Sequence, residues 1–192
     1  LINSTFRLTN IDFNKYRFRL IDGLDLNQIY QEYSWLLEAE ISDAIIGKDT
    51  GLVWYKGVWE SGRWFGGTWI SGQWISGDWY TGIWESREID DRVSQVRYGS
   101  VVSPSASVWY NGRWFDGTWN QGVWVDGRWY GGTWKNGTWY RGIWNDGTWE
   151  QGRFGGGIWV LGTWNDGVFN TDNEPSYWLD GSWFSGDFEN GI

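Results

Sequence analysis

Residues 109–144 read WYNGR WFDGT WNQGV WVDGR WYGGT WKNGT WYRGI W, and the reading of this stretch decides the fold. A tryptophan opens every group of five, and a glycine stands three positions after it. The beat runs without a skip through Trp109, Trp114, Trp119, Trp124, Trp129, Trp134, Trp139, Trp144, Trp149, Phe154, Trp159, Trp164 and Phe169. It occurs earlier from Trp54 to Trp84 and later at Trp178, Trp183 and Phe188, which makes 23 pentads, 21 of them with the glycine. The two without it reach Arg87 and Asp172, each inside a non-repeating insertion. A period this short, with one large aromatic per period, is an array whose units must stack to bury anything.

The other columns of the repeat say what each unit does. Thr, Val or Ile precedes the aromatic in 14 of the 23 pentads, and these residues favour extended backbone. Pairs such as Asn111-Gly112, Asp116-Gly117, Asn136-Gly137 and Asp146-Gly147 tolerate positive φ and mark tight turns. Each pentad therefore reads as a three-residue strand centred on the aromatic, then a two-residue corner. In an antiparallel meander with two-residue loops, the end residues of a strand must face opposite neighbours, which requires strands of even length. Three-residue strands fail that test. A narrow antiparallel β-meander survives only as an alternative with three-residue loops and two-residue strands. A mainly β chain folded as a β-solenoid of five-residue repeats has no such conflict.

In this the chain resembles the pentapeptide-repeat family, through units such as Gly117-Thr118-Trp119 and Gly137-Thr138-Trp139. The resemblance implies a right-handed β-helix of square section with four pentads per coil, a large apolar residue and a small one two positions earlier both pointing inward. Tryptophan stands here where that family uses Leu or Phe, and glycine where it uses Ala. Four pentads per coil would stack residues twenty apart: Thr118, Thr138 and Ile158 in one ladder, Val123, Ile143 and Thr163 in another, and Tyr110 over Tyr130.

Burial of the periodic rings is the simplest reading of a phase they all share with glycine. The expected structural core comprises Trp109, Trp114, Trp119, Trp124, Trp129, Trp134, Trp139, Trp144, Trp149, Trp159 and Trp164. A buried tryptophan removes roughly 150–250 Å² from water, worth about 4–6 kcal/mol gross. Ordering five backbones costs roughly 1–2 kcal/mol each, so a lone pentad cannot fold.

Residues 1–50 lie outside the repeat and read as a small α+β cap or docking segment, with residues 51–192 as the repeat domain. Residues 5–9 and 16–21 alternate apolar with polar, as strands do. Asp25 with Gln28 three positions on forms a capping box, and Leu26, Ile29, Tyr30, Tyr33, Leu37 and Ile41 fall on one helical stripe. Insertions interrupt the array at 85–108 and 170–177. The first reads as an excursion with one strand around 96–102; it keeps the phase of five, whereas the second breaks it. A chain that begins at Leu1 reads as an excerpt or a processed product.

The net charge is −9 and there is no Cys, His or Met. The acidic balance argues against nucleic acid and anionic membranes as partners. Without Cys and His there is no usual zinc or iron–sulfur ligand set and no thiol or imidazole catalysis. No metal, no cofactor and no enzymatic activity are expected, and the corner aspartates Asp116, Asp126, Asp146 and Asp166 read as turn formers. The residue after the aromatic is apolar in 13 pentads, Tyr110, Tyr130 and Tyr140 among them. If the aromatic points inward, these point outward and imply contact with another chain, with the cap, or with sugar. The long Gly-x-Trp-x-x run from Gly112 to Gly167 resembles virion structural proteins of tailed bacteriophages, which implies a tail, fibre or capsid-surface component. On that reading the chain is a non-enzymatic structural repeat protein, virion-borne or extracellular, whose partners are other virion proteins or itself. The alternative is an adhesin or carbohydrate-binding module that uses exposed tyrosines.

Overall fold

The computed structural model describes residues 18–86, 107–170 and 175–192. From Leu52 onward the chain winds as a parallel β-solenoid in which Thr118-Trp119 pairs with Thr133-Trp134, Val123-Trp124 with Thr138-Trp139, and Arg128-Trp129 with Ile143-Trp144. Partners are thus fifteen residues apart, so a coil holds three pentads and its section is triangular. This corrects the square winding. Thr118 does not lie under Thr138, nor Val123 under Ile143, and Tyr130 stacks on Phe115 rather than Tyr110. The parallel pairing also excludes the meander for the array, and most rungs are two-residue strands such as Thr118–Trp119, with three residues kept only at Gly157–Trp159 and Ser176–Trp178 among the described short rungs.

The smaller section has a physical cause in the glycine column. A square coil takes two inward side chains from each pentad, one large and one small, whereas here the second is a hydrogen atom. The interior has only one ring per side to enclose. Gly127 shows why nothing larger stands there: its φ is +126°, and an added Cβ would sit 2.5 Å from the carbonyl oxygen of Gly112 in the coil before and 3.2 Å from the Trp124 indole. That oxygen is already engaged, because the Gly112 carbonyl accepts the Arg128 N–H at 2.9 Å.

The core is three stacks of rings. The first contains Trp54, Trp69, Trp84, Trp119, Trp134, Trp149, Trp164 and Trp183. The second contains Trp59, Trp74, Trp109, Trp124, Trp139, Phe154, Phe169 and Phe188. The third contains Trp64, Trp79, Trp114, Trp129, Trp144, Trp159 and Trp178. Within a stack the rings are nearly parallel, as Trp119 on Trp134 at 4.7 Å and 6°. Between stacks they meet edge to face, as Trp119 on Trp124 at 5.9 Å and 69°. Both are the offset arrangements that the aromatic quadrupole favours. Every ring from Trp54 to Phe169 is fully buried, while Phe188 at the far end is 48% exposed.

The N-terminal region closes the other end. Helix α1 (Leu26–Glu32) begins with the expected capping box: Asp25 Oδ1 accepts the Gln28 N–H at 2.9 Å and Gln28 Oε1 accepts the Asp25 N–H at 3.2 Å. It stops sooner than the stripe suggests. A 3₁₀ turn follows at Ser34–Leu37, and Ile41 belongs to a strand, β2 (Glu40–Lys48). That strand runs antiparallel to β3 (Leu52–Ser61), with Ile41 opposite Trp59 and Ile46 opposite Trp54. Pairing with the first coil overrides the helical spacing there. Strand β1 (Phe18–Leu20) adds to β2 in parallel. Leu24, Ile29 and Leu36 are buried, and Trp35 sets its ring at 5.1 Å and 73° against Trp64, so the first coil's rings are covered.

The readings of residues 5–9 and 96–102 as strands lie outside the described residues. Where the first insertion leaves and returns, Trp84 meets Trp109 at 5.9 Å and 68°, the geometry of any two successive corners. Phe169 and Trp178 meet likewise across the second insertion, at 5.7 Å and 75°. The insertions interrupt the repeat without interrupting the core.

Candidate interaction face

Because every ring points inward, the residues before and after it point outward, and each side of the prism carries its own chemistry. The side over the first stack is polar along its middle. Thr118, Thr133, Thr148 and Thr163 form one ladder, beside Asn120, Lys135, Glu150 and Asn165. Over the second stack lie Tyr110, Val125 and Tyr140 on successive rungs, since Val125 donates to the Trp109 carbonyl and Tyr140 to the Trp124 carbonyl. Over the third stack the outward row is Phe65, Tyr80, Phe115, Tyr130, Asn145, Val160 and Leu179. Tyr130 therefore sits on a different side from Tyr110 and Tyr140. The three tyrosines do not form one site.

Among the described residues, the row over the third stack carries a continuous run of stacked outward rings. Phe65 lies on Tyr80 at 4.7 Å and 5°, Tyr80 on Phe115 at 4.9 Å and 12°, and Phe115 on Tyr130 at 5.0 Å and 8°. Trp35 of the cap packs edge-on against Phe65 at 6.0 Å and extends the row to the closed end. Arginines flank it, with the guanidinium carbon 5.8 Å from the Phe65 ring for Arg63, 5.7 Å from Phe115 for Arg113 and 5.9 Å from Tyr130 for Arg128. These are cation–π distances. Arg113 also grips Asp78 in the neighbouring rung with two hydrogen bonds, Nε to Oδ1 at 2.7 Å and a second nitrogen to Oδ2 at 2.6 Å. The hydrogen bond and the charge of Asp78 raise the pKa of the Arg113 guanidinium above its ordinary value. Arg63 pairs with Glu38 of the cap at 3.0 Å. Further along, a hollow lined by Asp126, Arg141, Ile143, Ile158, Pro175 and Tyr177 opens on the same side.

Sequence reasoning missed the arginines. Their signal is the triplet of arginine, tryptophan and an outward aromatic at Arg63-Trp64-Phe65, Arg113-Trp114-Phe115 and Arg128-Trp129-Tyr130, the last two fifteen residues apart.

Chemically this surface offers aromatic edges and guanidinium groups. The stacked rings cover one another's faces, and a sugar needs an open ring face to lie on. The corner aspartates are turned inward to their own loops: the carboxylates of Asp116, Asp126, Asp146 and Asp166 each accept the next glycine's N–H at 2.7–2.8 Å. Among the described residues, no group of three or more acidic, histidine or cysteine side chains is placed to hold a metal ion. Among the described residues, no helix is long and apolar enough to cross a membrane.

Fold and surface together define a tryptophan-rich β-solenoid repeat protein. No family model, curated protein or solved structure matches the chain.

Proposed function

We propose that this chain is a non-enzymatic structural rod of a phage particle or another extracellular assembly, and that it docks side by side with a second copy through the row over the third stack. The supporting observation is the stack of Phe65, Tyr80, Phe115 and Tyr130, whose rungs repeat every 4.7–5.0 Å. A partner that engages successive rungs needs the same rise, and another coil of this solenoid has it. Val160 and Leu179 continue the row as apolar surface of the kind that marks protein contacts. The carbohydrate-binding alternative is weaker, since the best-ordered aromatics present edges rather than faces.

Light scattering after size exclusion tests the reading on the full chain and on Phe115→Glu, which leaves every core ring in place. Association in the parent and its loss in the variant are expected. A parent that stays monomeric, or that binds a glycan array as a stable monomer, overturns the proposal.

A further inference from the structure

We propose that the indole stacks conduct: a one-electron oxidation at the exposed end of the array travels inward along them and comes to rest on Tyr55, whose proton passes to Asp22. The first stack runs from Trp183 to Trp54 through indoles alone. Its successive centroids are 4.9, 5.0, 4.7, 4.7, 4.7, 5.0 and 4.5 Å apart, and no pair departs from parallel by more than 8°. Electron transfer between identical rings needs no driving force, and its rate falls off exponentially with separation, so stacked neighbours are where hopping is fastest. The second stack does not serve over its full length. Beyond Trp139 it continues as Phe154, Phe169 and Phe188, and phenyl is much harder to oxidise than indole.

The indole nitrogens supply the second argument. An oxidised indole is strongly acidic at Nε1, and loss of that proton would pin the radical to one ring. In the first stack the Nε1–H groups of Trp54, Trp69, Trp84, Trp119, Trp134 and Trp149 are buried with no hydrogen-bond acceptor in the protein. The Trp164 group donates to the Ser185 carbonyl at 3.0 Å, and an amide carbonyl is not a base that could keep the proton. The charge therefore stays as a radical cation and remains free to move. Such unpaired donors cost stability in any fold. Here they are what keeps the stack conducting.

At the capped end the chemistry is opposite. Tyr55 follows Trp54 in the chain, and its phenol donates to Asp22 Oδ2 at 2.7 Å. A phenol becomes a neutral phenoxyl radical only if its proton has somewhere to go, and this carboxylate is in place. In the final step the Trp54 radical cation takes one electron from Tyr55 while the phenol proton moves to Asp22. Neutral Trp54, a neutral tyrosyl radical and protonated Asp22 result. The electron lost overall reduces a high-potential metal complex held at the surface near Trp183, for which a ruthenium(III) polypyridyl, going to ruthenium(II), is the probe.

The chain has no cysteine, so Phe184→Cys, at an exposed position beside Trp183, carries a single thiol-linked ruthenium polypyridyl. Flash oxidation of the label to ruthenium(III), followed by freeze-quench electron paramagnetic resonance, reads where the radical rests. A tyrosyl signal is expected, and its replacement by an indole radical in Tyr55→Phe. It should also vanish when the rung of Trp134, Trp139 and Trp144 is changed to phenylalanine. That rung should fit, since Phe154 already stacks on Trp139 at 5.4 Å and 11°. If the triple variant fails to fold, Tyr55→Phe decides alone, because it removes only the phenol oxygen and keeps the ring. A parent without a tyrosyl radical, or a tyrosyl signal that survives either change, overturns the proposal.

Discussion

Gly127 and Trp134 carry between them the residue-scale logic of the whole array. The indole fills the interior, and the glycine lets the coil close around it. Trp134 is fully buried between Trp119 and Trp149, and truncating it leaves a cavity the size of a ring in a stack with no neighbour free to collapse. Trp134→Ala should cost about 3–5 kcal/mol in a denaturant melt followed by far-ultraviolet circular dichroism. Trp134→Phe should cost less, as phenyl already occupies the same kind of position at Phe154 and Phe169. Gly127→Ala should cost about 1–3 kcal/mol from its φ of +126° alone, and more from the clash with the Gly112 carbonyl. A melt of either alanine variant that matches the parent would show that the interior is not packed as described.

At the scale of elements, the interesting junction is where the helix gives way to the sheet. Helix α1 ends at Glu32 and is closed by Tyr33, whose N–H bonds to the Ile29 carbonyl at 3.0 Å, and the chain then turns to lay β2 along the first coil. Burial, and then the charge and hydrogen bond of Glu32, raise the pKa of the Tyr33 phenol above 10.0. A raised value means the folded state favours the protonated phenol. Its contribution is fully present below pH 10 and is lost as pH rises through the higher folded value. Tyr33→Phe should therefore flatten the alkaline fall in stability relative to the parent, measured as melting temperature against pH. The helical stripe through Leu37 and Ile41 was misleading because spacing reports which residues face one side, not which neighbour claims them. Backbone pairing of Ile41 opposite Trp59 supplies that neighbour.

For the molecule as a whole, three pentads per coil make fifteen residues the unit of growth. Duplicating residues 133–147 adds one full coil, returns every later residue to its own side and continues the Thr118, Thr133, Thr148 ladder. It should be tolerated, with a melting temperature equal to or above the parent's. Duplicating only residues 143–147 keeps the beat of tryptophans but moves every later residue round by one side, carrying Val160 and Leu179 off the row that begins at Phe65. That variant should fold and associate more weakly than the parent, since Phe65 to Tyr130 stay in line and only the Val160 and Leu179 end of the row is displaced. If light scattering showed it associating like the parent, that end of the row would not be part of the contact.

The periodic tryptophan and glycine pointed to a β-solenoid of pentads, because one large ring per five residues can be buried only by stacking; a meander of two-residue strands stayed open until the parallel pairing excluded it. The capping box at Asp25 was equally local and equally legible. The number of pentads per coil was present only as a faint signal, in Thr118, Thr133, Thr148 and Thr163 recurring at fifteen. It was decided by tertiary packing: with glycine removing the second inward side chain, three rings meeting edge to face fill the section. That choice placed Tyr130 apart from Tyr110 and Tyr140, aligned the arginines with the outward aromatics, and ran the indoles into continuous stacks. No reading of neighbours along the chain could supply these, since each depends on which residues the coil brings together one turn away.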